Sequence, residues 1–177
     1  EVFDGYSSQW GASSGDIIAN ASGTALYVSQ ELIWKEQRIT PKFSFHTTKY
    51  AGYRPEVLGS SYTEQILKDY NGQTYWLSVN LHSFANGSKI PKWLNVALGY
   101  GAEGMITGNK ENTTTTYTPN PQRFKQLYLS LDVDLTKIKT NSYFLKTIFS
   151  VFNSLKIPAP TPEFVQFNDI KYHFIYF

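Results

Sequence analysis

The chain has 177 residues, a formal net charge of +2 and 17% charged residues, so it holds one to one and a half domains and no basic stripe for nucleic acid. It has no cysteine, which excludes disulfides, thiolate metal sites and a catalytic thiol. Aromatic residues make up 16% of the chain, which favours a surface that meets lipid headgroups or partner proteins.

Residues 1–40 are predicted to be a helical segment that forms the end of a larger helical part. Ser13-Ser14-Gly15-Asp16 fits a capping box, with a hydroxyl at the N-cap and a carboxylate three residues later. Apolar residues then recur every three or four positions, and we expect this stripe to pack against another element. Its members are Ile17, Ala21, Ala25, Val28 and Leu32. Polar residues within the same stretch argue against a free transmembrane helix.

Residues 41–177 are predicted to be mainly β, with about five strands in an antiparallel sheet. Alternation of apolar and polar residues indicates strands in five stretches, at 42–46, 75–82, 93–102, 126–135 and 171–177. Residues 50–61 are punctuated by Gly and Pro and predict a loop, and a brief helix is expected at 62–70. The fold class is therefore α+β, a long N-terminal helix followed by this sheet.

The alternating strands have two interpretations. In a soluble protein the apolar face covers a core, and the polar face meets water. In an outer-membrane barrel the apolar face meets lipid, and the polar or small residues line the interior. Two stretches have about the ten residues that a tilted membrane strand needs, but about five strands are too few to close a barrel. A sheet packed on the helix and a partial outer-membrane barrel both remain open.

One apolar helix is predicted before the last strand, at residues 142–156. Apolar residues cover most of its circumference, so it either lies in a membrane interface or is buried against the sheet. Pro158-Ala-Pro-Thr-Pro162 then predicts an extended connection. Residues 109–122, with four consecutive threonines, predict a solvated loop.

Two polar motifs carry a resemblance to a known family. Glu1-x-x-Asp4 followed by Ser14-x-Asp16-x-x-x-Asn20-x-x-Gly23 resembles the second half of the motif of YfiM-like predicted periplasmic lipoproteins, themselves distantly similar to VanZ-like membrane proteins. Residues 68–80 and 91–101 resemble the longer members found in Bacteroidota. That family has no established activity, so the resemblance implies an envelope location and fold relatives.

The sequence departs from this family in two respects. The earlier helical part with its Asp-Lys and His motif is absent, and so is the lipoprotein cysteine. We therefore expect further helical sequence before Glu1.

Carboxylates near the start of the chain are weak candidates for a catalytic site. Glu1, Asp4, Asp16 and Asn20 could converge if the turn at residues 5–13 folds the first segment against the helix. Carboxylates that share a site can raise one pKa for general acid chemistry or bind a hard cation. The alternative is that Asp16 caps the helix, Asn20 packs and the others are solvated, and this is the reading we favour.

Three histidines are weak candidates for metal ligands, and no cofactor is expected. His46, His82 and His173 fall in three predicted strands and could form a site only if those strands were neighbours. Asp132 and Asp134 share one face of a strand and could line a polar interior or contact a cation, but we expect simple solvation. We find no phosphate-binding Gly-rich motif, no Gly-x-Ser-x-Gly and no His-Glu-x-x-His.

Two functions follow from these patterns. The first is a non-enzymatic outer-membrane protein with periplasmic contact, an accessory subunit that meets membrane lipid and packs against a larger outer-membrane complex. The second is a membrane enzyme that acts on a lipid headgroup through Glu1, Asp4 and Asp16. The strands and the aromatic content favour the first, and only the carboxylates favour the second.

Overall fold

The computed structural model describes residues 14–85, 89–106, 122–166 and 169–177, with the backbone alone for Ser14 and Asp16. The predicted loop at 109–122 therefore lies outside the described residues except for Gln122. The chain divides into two compact units, Glu1–Arg38 and Ile39–Phe177. The architecture is α+β, with an N-terminal helix followed by an antiparallel sheet.

The first unit is built on helix α1, Ser14–Trp34. The helix ends at Trp34, and the next residue, Lys35, adopts a left-handed conformation with φ of 55° and donates its N–H to the Glu31 carbonyl at 3.1 Å. Ile17, Val28 and Leu32 of the predicted stripe are exposed. No helix in the described ranges is long and apolar enough to cross a membrane.

The second unit holds the remaining elements. They are β1 Ile39–Phe45, α2 Tyr50–Tyr53, α3 Pro55–Leu58, α4 Tyr62–Lys68, β2 Gln73–Asn80, α5 Leu81–Phe84, β3 Leu94–Glu103, β4 Phe124–Val133, a 3-10 helix Leu135–Lys137, α6 Tyr143–Phe152, β5 Ala159–Val165 and β6 Asp169–Tyr176.

The six strands form one antiparallel sheet in the order β1-β2-β3-β4-β5-β6. This is an open sheet and not a closed barrel, and its six strands replace the predicted count of about five. The missed strand is β5, where prolines had predicted only an extended connection. Alternate residues of a strand direct their N–H groups to the same edge, so Pro160 and Pro162 weaken one edge and leave the other able to pair. Accordingly β5 pairs with β4 at only three residue pairs.

Two helical predictions also needed correction. Residues 50–61 do not form a plain loop, because α2 and α3 lie there, and Pro55 occupies the first turn of α3, where its missing N–H costs nothing. The apolar helix before the last two strands is shorter than the predicted 142–156. It begins after Ser142, whose side chain accepts the Leu145 N–H, and ends at Phe152.

Burial of the two faces of the sheet is the reverse of that expected for a sheet that packs its apolar face on a core. The inner face is buried and is polar or small except for the aromatic rings of Trp76 and Tyr128. Its other members include Lys42, Ser44, Thr74, Ser78, Asn80, Asn95, Ala97, Gln126, Ser130, Asp132, Thr161 and Glu163. The outer face is apolar and largely exposed, and it includes Tyr75, Leu77, Leu98, Tyr100, Leu129, Leu131, Ile170, Tyr172 and Phe174. The alternation predicted from the sequence is present, and its polar side is the buried one.

Strong curling of the sheet encloses the inner face. The Tyr176 hydroxyl of β6 lies 3.2 Å from the Thr74 hydroxyl of β2, and its ring stacks on Tyr128 of β4 with centroids 4.6 Å apart. Trp76 completes this aromatic layer. Gly99 makes room for it, since a Cβ there would lie 2.7 Å from the indole ring.

Candidate functional site

A polar cavity of about 360 Å³ opens on the inner face, at the end of the sheet where β1 and β3 finish. Its lining combines residues from strand ends, from the segment after β1 and from β6. The lining residues are His46, Thr47, Thr48, Lys49, Tyr50, Asn71, Glu103, Gln126, Tyr128, Glu163, Lys171, His173 and Tyr176. Titratable groups far apart in sequence meet here, which makes the cavity the candidate functional site.

Glu163 is the most heavily bonded carboxylate in the cavity. Its Oε2 lies 2.7 Å from His173 Nε2, and its Oε1 accepts the Gln126 amide at 2.8 Å. Lys171 Nζ lies 3.8 Å from the same Oε1. Glu163 therefore fixes the orientation of the His173 ring and is neutralised by a nearby cation.

Glu103 carries the second carboxylate and has different partners. Its Oε1 accepts the Tyr50 hydroxyl at 2.9 Å, and its Oε2 accepts the Gln126 amide at 3.1 Å. Burial raises the pKa of Tyr50 to about 12, and the bond to Glu103 adds to this shift. Tyr50 thus stays a neutral donor at physiological pH.

His46 brings a buried nitrogen to the same cavity. Its Nδ1 is inaccessible to solvent and has no hydrogen-bond partner among the described residues. Burial lowers the pKa of His46 below 6.5, although the nearby Glu103, Asp69 and Glu163 carboxylates act in the opposite direction. His173 adds a smaller lowering of the same pKa. His46 is therefore neutral at pH 7 and can accept or donate one hydrogen bond.

A β-bulge in β6 aims Tyr176 at the cavity. Thr161 pairs with His173 and Ala159 with Tyr176, so two steps along β5 match three along β6. The extra residue changes the phase of the alternation and turns Tyr176 to the same face as His173. The Tyr176 ring lies 5.0 Å from His173 and 5.6 Å from His46.

A buried ionic cluster occupies the opposite end of the inner face. Asp132 Oδ2 lies 2.8 Å from Lys42 Nζ, and Asp132 Oδ1 lies 4.0 Å from Lys156 Nζ, with all three side chains fully buried. Ser78 Oγ and the Ile157 N–H also donate to this carboxylate, at 2.6 and 3.1 Å. The expectation of simple solvation for Asp132 is wrong, because the curled sheet shields its inner face.

The three predicted histidines do not come together as one set. His46 and His173 line the cavity, whereas His82 lies in α5 with its Nδ1 2.9 Å from the Ile90 carbonyl. No group of three or more His, Cys, Asp or Glu in the described ranges is placed to hold a metal.

The predicted carboxylate group lies mostly outside what the structure describes. Glu1 and Asp4 precede the described residues, and the side chain of Asp16 is not among them. Asn20 is exposed on α1, and its carbonyl accepts the Thr24 hydroxyl at 2.9 Å. The proposed convergence of these residues therefore stays a prediction.

Glu103, Gln126 and Glu163 were not among the site residues predicted from the sequence. A signal for the first two was present, because each continues the polar or small alternation of its strand by one further step. Glu163 carried no such signal, since it follows the proline tract that hid β5. The arrangement as a whole can hold a ligand rich in hydrogen-bond donors and can move a proton at His46 or His173.

Comparison with known proteins identified no relative: no family model, curated protein or solved structure matches this chain. Any functional conclusion therefore depends on the geometry described above.

Proposed function

We propose that Ile39–Phe177 is an envelope membrane protein whose sheet is embedded in lipid through its outer face, in a non-enzymatic, accessory role. The observation that carries this proposal is the reversed burial of the sheet. Leu98 and Leu131 are more than half exposed, while Asp132, Lys42 and Glu163 are buried. In water this pattern would expose the hydrophobic face at a large free-energy cost, whereas lipid removes that cost.

The distribution of residues along the outer face supports the same proposal. Register places aliphatic side chains side by side in the middle of the sheet, as in Leu77, Leu98 and Leu129. Tyr75 and Tyr100 form the next row toward the cavity, where amphipathic rings suit a membrane interface. β3 and β4 each have 10 residues, the length of a tilted membrane strand.

The absence of cysteine makes a direct test practical. Single Leu98→Cys and Leu129→Cys variants would carry a nitroxide spin label in membranes, with Leu67→Cys on the exposed side of α4 as the matched control. We expect the spin labels at the two sheet positions to be accessible to dissolved oxygen, and the label at the control position to be accessible to a water-soluble nickel chelate. Equal nickel accessibility at all three positions, or recovery of the protein in a salt-washed soluble fraction, would refute the proposal.

The finer assignments remain predictions that accompany this proposal. They are an outer-membrane location with periplasmic contact, a partial barrel completed by other chain, a larger partner complex and membership of the YfiM-like family. The headgroup-acting enzyme with Glu1, Asp4 and Asp16 stays the alternative prediction. Fractionation of inner and outer membranes, followed by crosslinking at introduced cysteines, would test the location and the partner.

A further inference from the structure

We propose that the polar cavity binds the primary ammonium group of a small ligand or lipid headgroup, with Glu103 as its anionic partner. The exposed Lys49 and Lys171 at the rim would meet an anionic group on the same ligand. An aminoalkyl phosphate has this chemistry. The proposal stands on the cavity itself and does not depend on the sheet being embedded in lipid.

The first argument is the lack of a cation at Glu103. Its partners are the neutral Tyr50 hydroxyl and Gln126 amide, and no cationic side chain in the described residues lies within 4.0 Å of it. Glu163, by contrast, has Lys171 at 3.8 Å and His173 at 2.7 Å. Carboxylates withdrawn from water are normally paired with a cation, so a ligand cation would supply the partner that Glu103 lacks among the described residues.

The second argument is the character of the surrounding walls. Tyr50, Tyr128 and Tyr176 are buried and bring aromatic rings to the cavity, and tyrosine faces attract ammonium groups. A primary ammonium group brings N–H donors for the Glu103 carboxylate, whereas a trimethylammonium group brings none.

The third argument is that the cavity has negative charge inside and positive charge at its rim. The carboxylates come from Glu103, which is half-buried, and Glu163, which is buried, whereas Lys49 and Lys171 extend into solvent. A ligand with its ammonium inward and its phosphate outward matches both signs. A cavity of about 360 Å³ accommodates a compact ligand of this kind.

Histidine-selective NMR provides an assay with an internal control. The chain has three histidines, of which His46 and His173 line the cavity and His82 does not. We expect phosphoethanolamine to shift the imidazole signals of His46 and His173 and to leave His82 unchanged. Phosphocholine, which has the same phosphate but no N–H donor, should bind at least about tenfold more weakly, as expected for a lost charged hydrogen bond.

A pair of variants tests the role of Glu103. Glu103→Gln keeps the shape and the hydrogen-bonding capacity toward Tyr50 but removes the charge, and we expect about tenfold weaker binding of phosphoethanolamine. Glu31→Gln, on the exposed surface of α1, is the matched control and should bind as the unmodified protein does.

Three results would overturn the proposal: equal binding of phosphocholine, unchanged binding by Glu103→Gln, or no shift of His46 and His173 up to about 10 mM ligand. If near-ultraviolet circular dichroism shows that Glu103→Gln fails to fold, the comparison of the two ligands on the unmodified protein decides alone.

A further arm distinguishes a lipid headgroup from a free amine. Short-chain phosphatidylethanolamine that binds at least about tenfold more tightly than phosphoethanolamine identifies a lipid as the source. Equal affinities identify a free small molecule, and both outcomes support the ammonium site. If the ligand causes no NMR shifts while the spin labels on the sheet are accessible to oxygen as expected, the ammonium site is overturned and the membrane proposal stands.

Discussion

Replacing Asp132 by Asn should destabilise the fold strongly, because two buried cations would lose the only carboxylate that pairs with them among the described residues. Lys42, Lys156 and Asp132 have no exposed side-chain surface, and the carboxylate accepts from Lys42 at 2.8 Å. Asn keeps the shape but removes the negative charge, and it replaces one acceptor with an NH₂ group. Removing one partner of a buried ion pair costs about 3–5 kcal/mol of unfolding free energy.

Urea unfolding of the purified protein, followed by tryptophan fluorescence, measures this loss. With a slope of about 2–3 kcal/mol per M, the midpoint for Asp132→Asn should fall by about 1–2.5 M. Asp169→Asn, at an exposed position of β6, is the matched control and should change the unfolding free energy by less than about 0.5 kcal/mol.

A second substitution separates charge from hydrogen bonding. Adding Lys42→Met to Asp132→Asn removes one of the two uncompensated buried ammonium groups, so part of the lost stability should return. If Asp132→Asn lowers the unfolding free energy by less than about 0.5 kcal/mol, the cluster does not act as a buried ion pair. If Asp132→Asn lowers the unfolding free energy and the double variant recovers none of it, the cost is due to lost hydrogen bonds alone.

Two further predictions concern packing and pH. Gly99→Ala would place a Cβ 2.7 Å from the Trp76 ring and should lower the unfolding free energy by about 1–3 kcal/mol, whereas Gly52→Ala, in open space, should not. Because burial lowers the pKa of His46, the unfolded state binds more protons, so stability should be full above pH 6.5 and fall as the pH decreases toward the folded-state pKa. Urea midpoints at pH 7.5 and pH 5 should therefore differ less in His46→Gln than in His82→Gln, and an unchanged difference in His46→Gln would contradict this reasoning.

The strands and their two faces could be predicted from the sequence, but which face is buried could not. Alternation such as Leu127 to Leu135 reports which residues share a face, and it has the same form whether the apolar face meets a core or lipid. The choice is made by curling, which brings Tyr176 of β6 to Thr74 of β2 and encloses the polar side. Such a long-range contact leaves no local pattern in the sequence.

The cavity was harder to predict than the sheet. His46 and His173 were noted as single residues, but their meeting depends on the bulge in β6 and on β5, which its prolines concealed. Glu103 and Glu163 are 60 residues apart, and Gln126 bridges them only because β3, β4 and β5 are neighbours. Residues joined by strand order alone cannot be grouped before that order is known.

The aromatic layer also has a consequence for permeation. Trp76, Tyr128 and Tyr176 lie between the cavity and the ionic cluster with ring centroids 4.6 to 6.1 Å apart. A conducting path along the inner face would need a continuous file of water, and these rings lie across that face between its two polar regions. We therefore predict that the protein, reconstituted in a planar lipid bilayer, passes no ionic current.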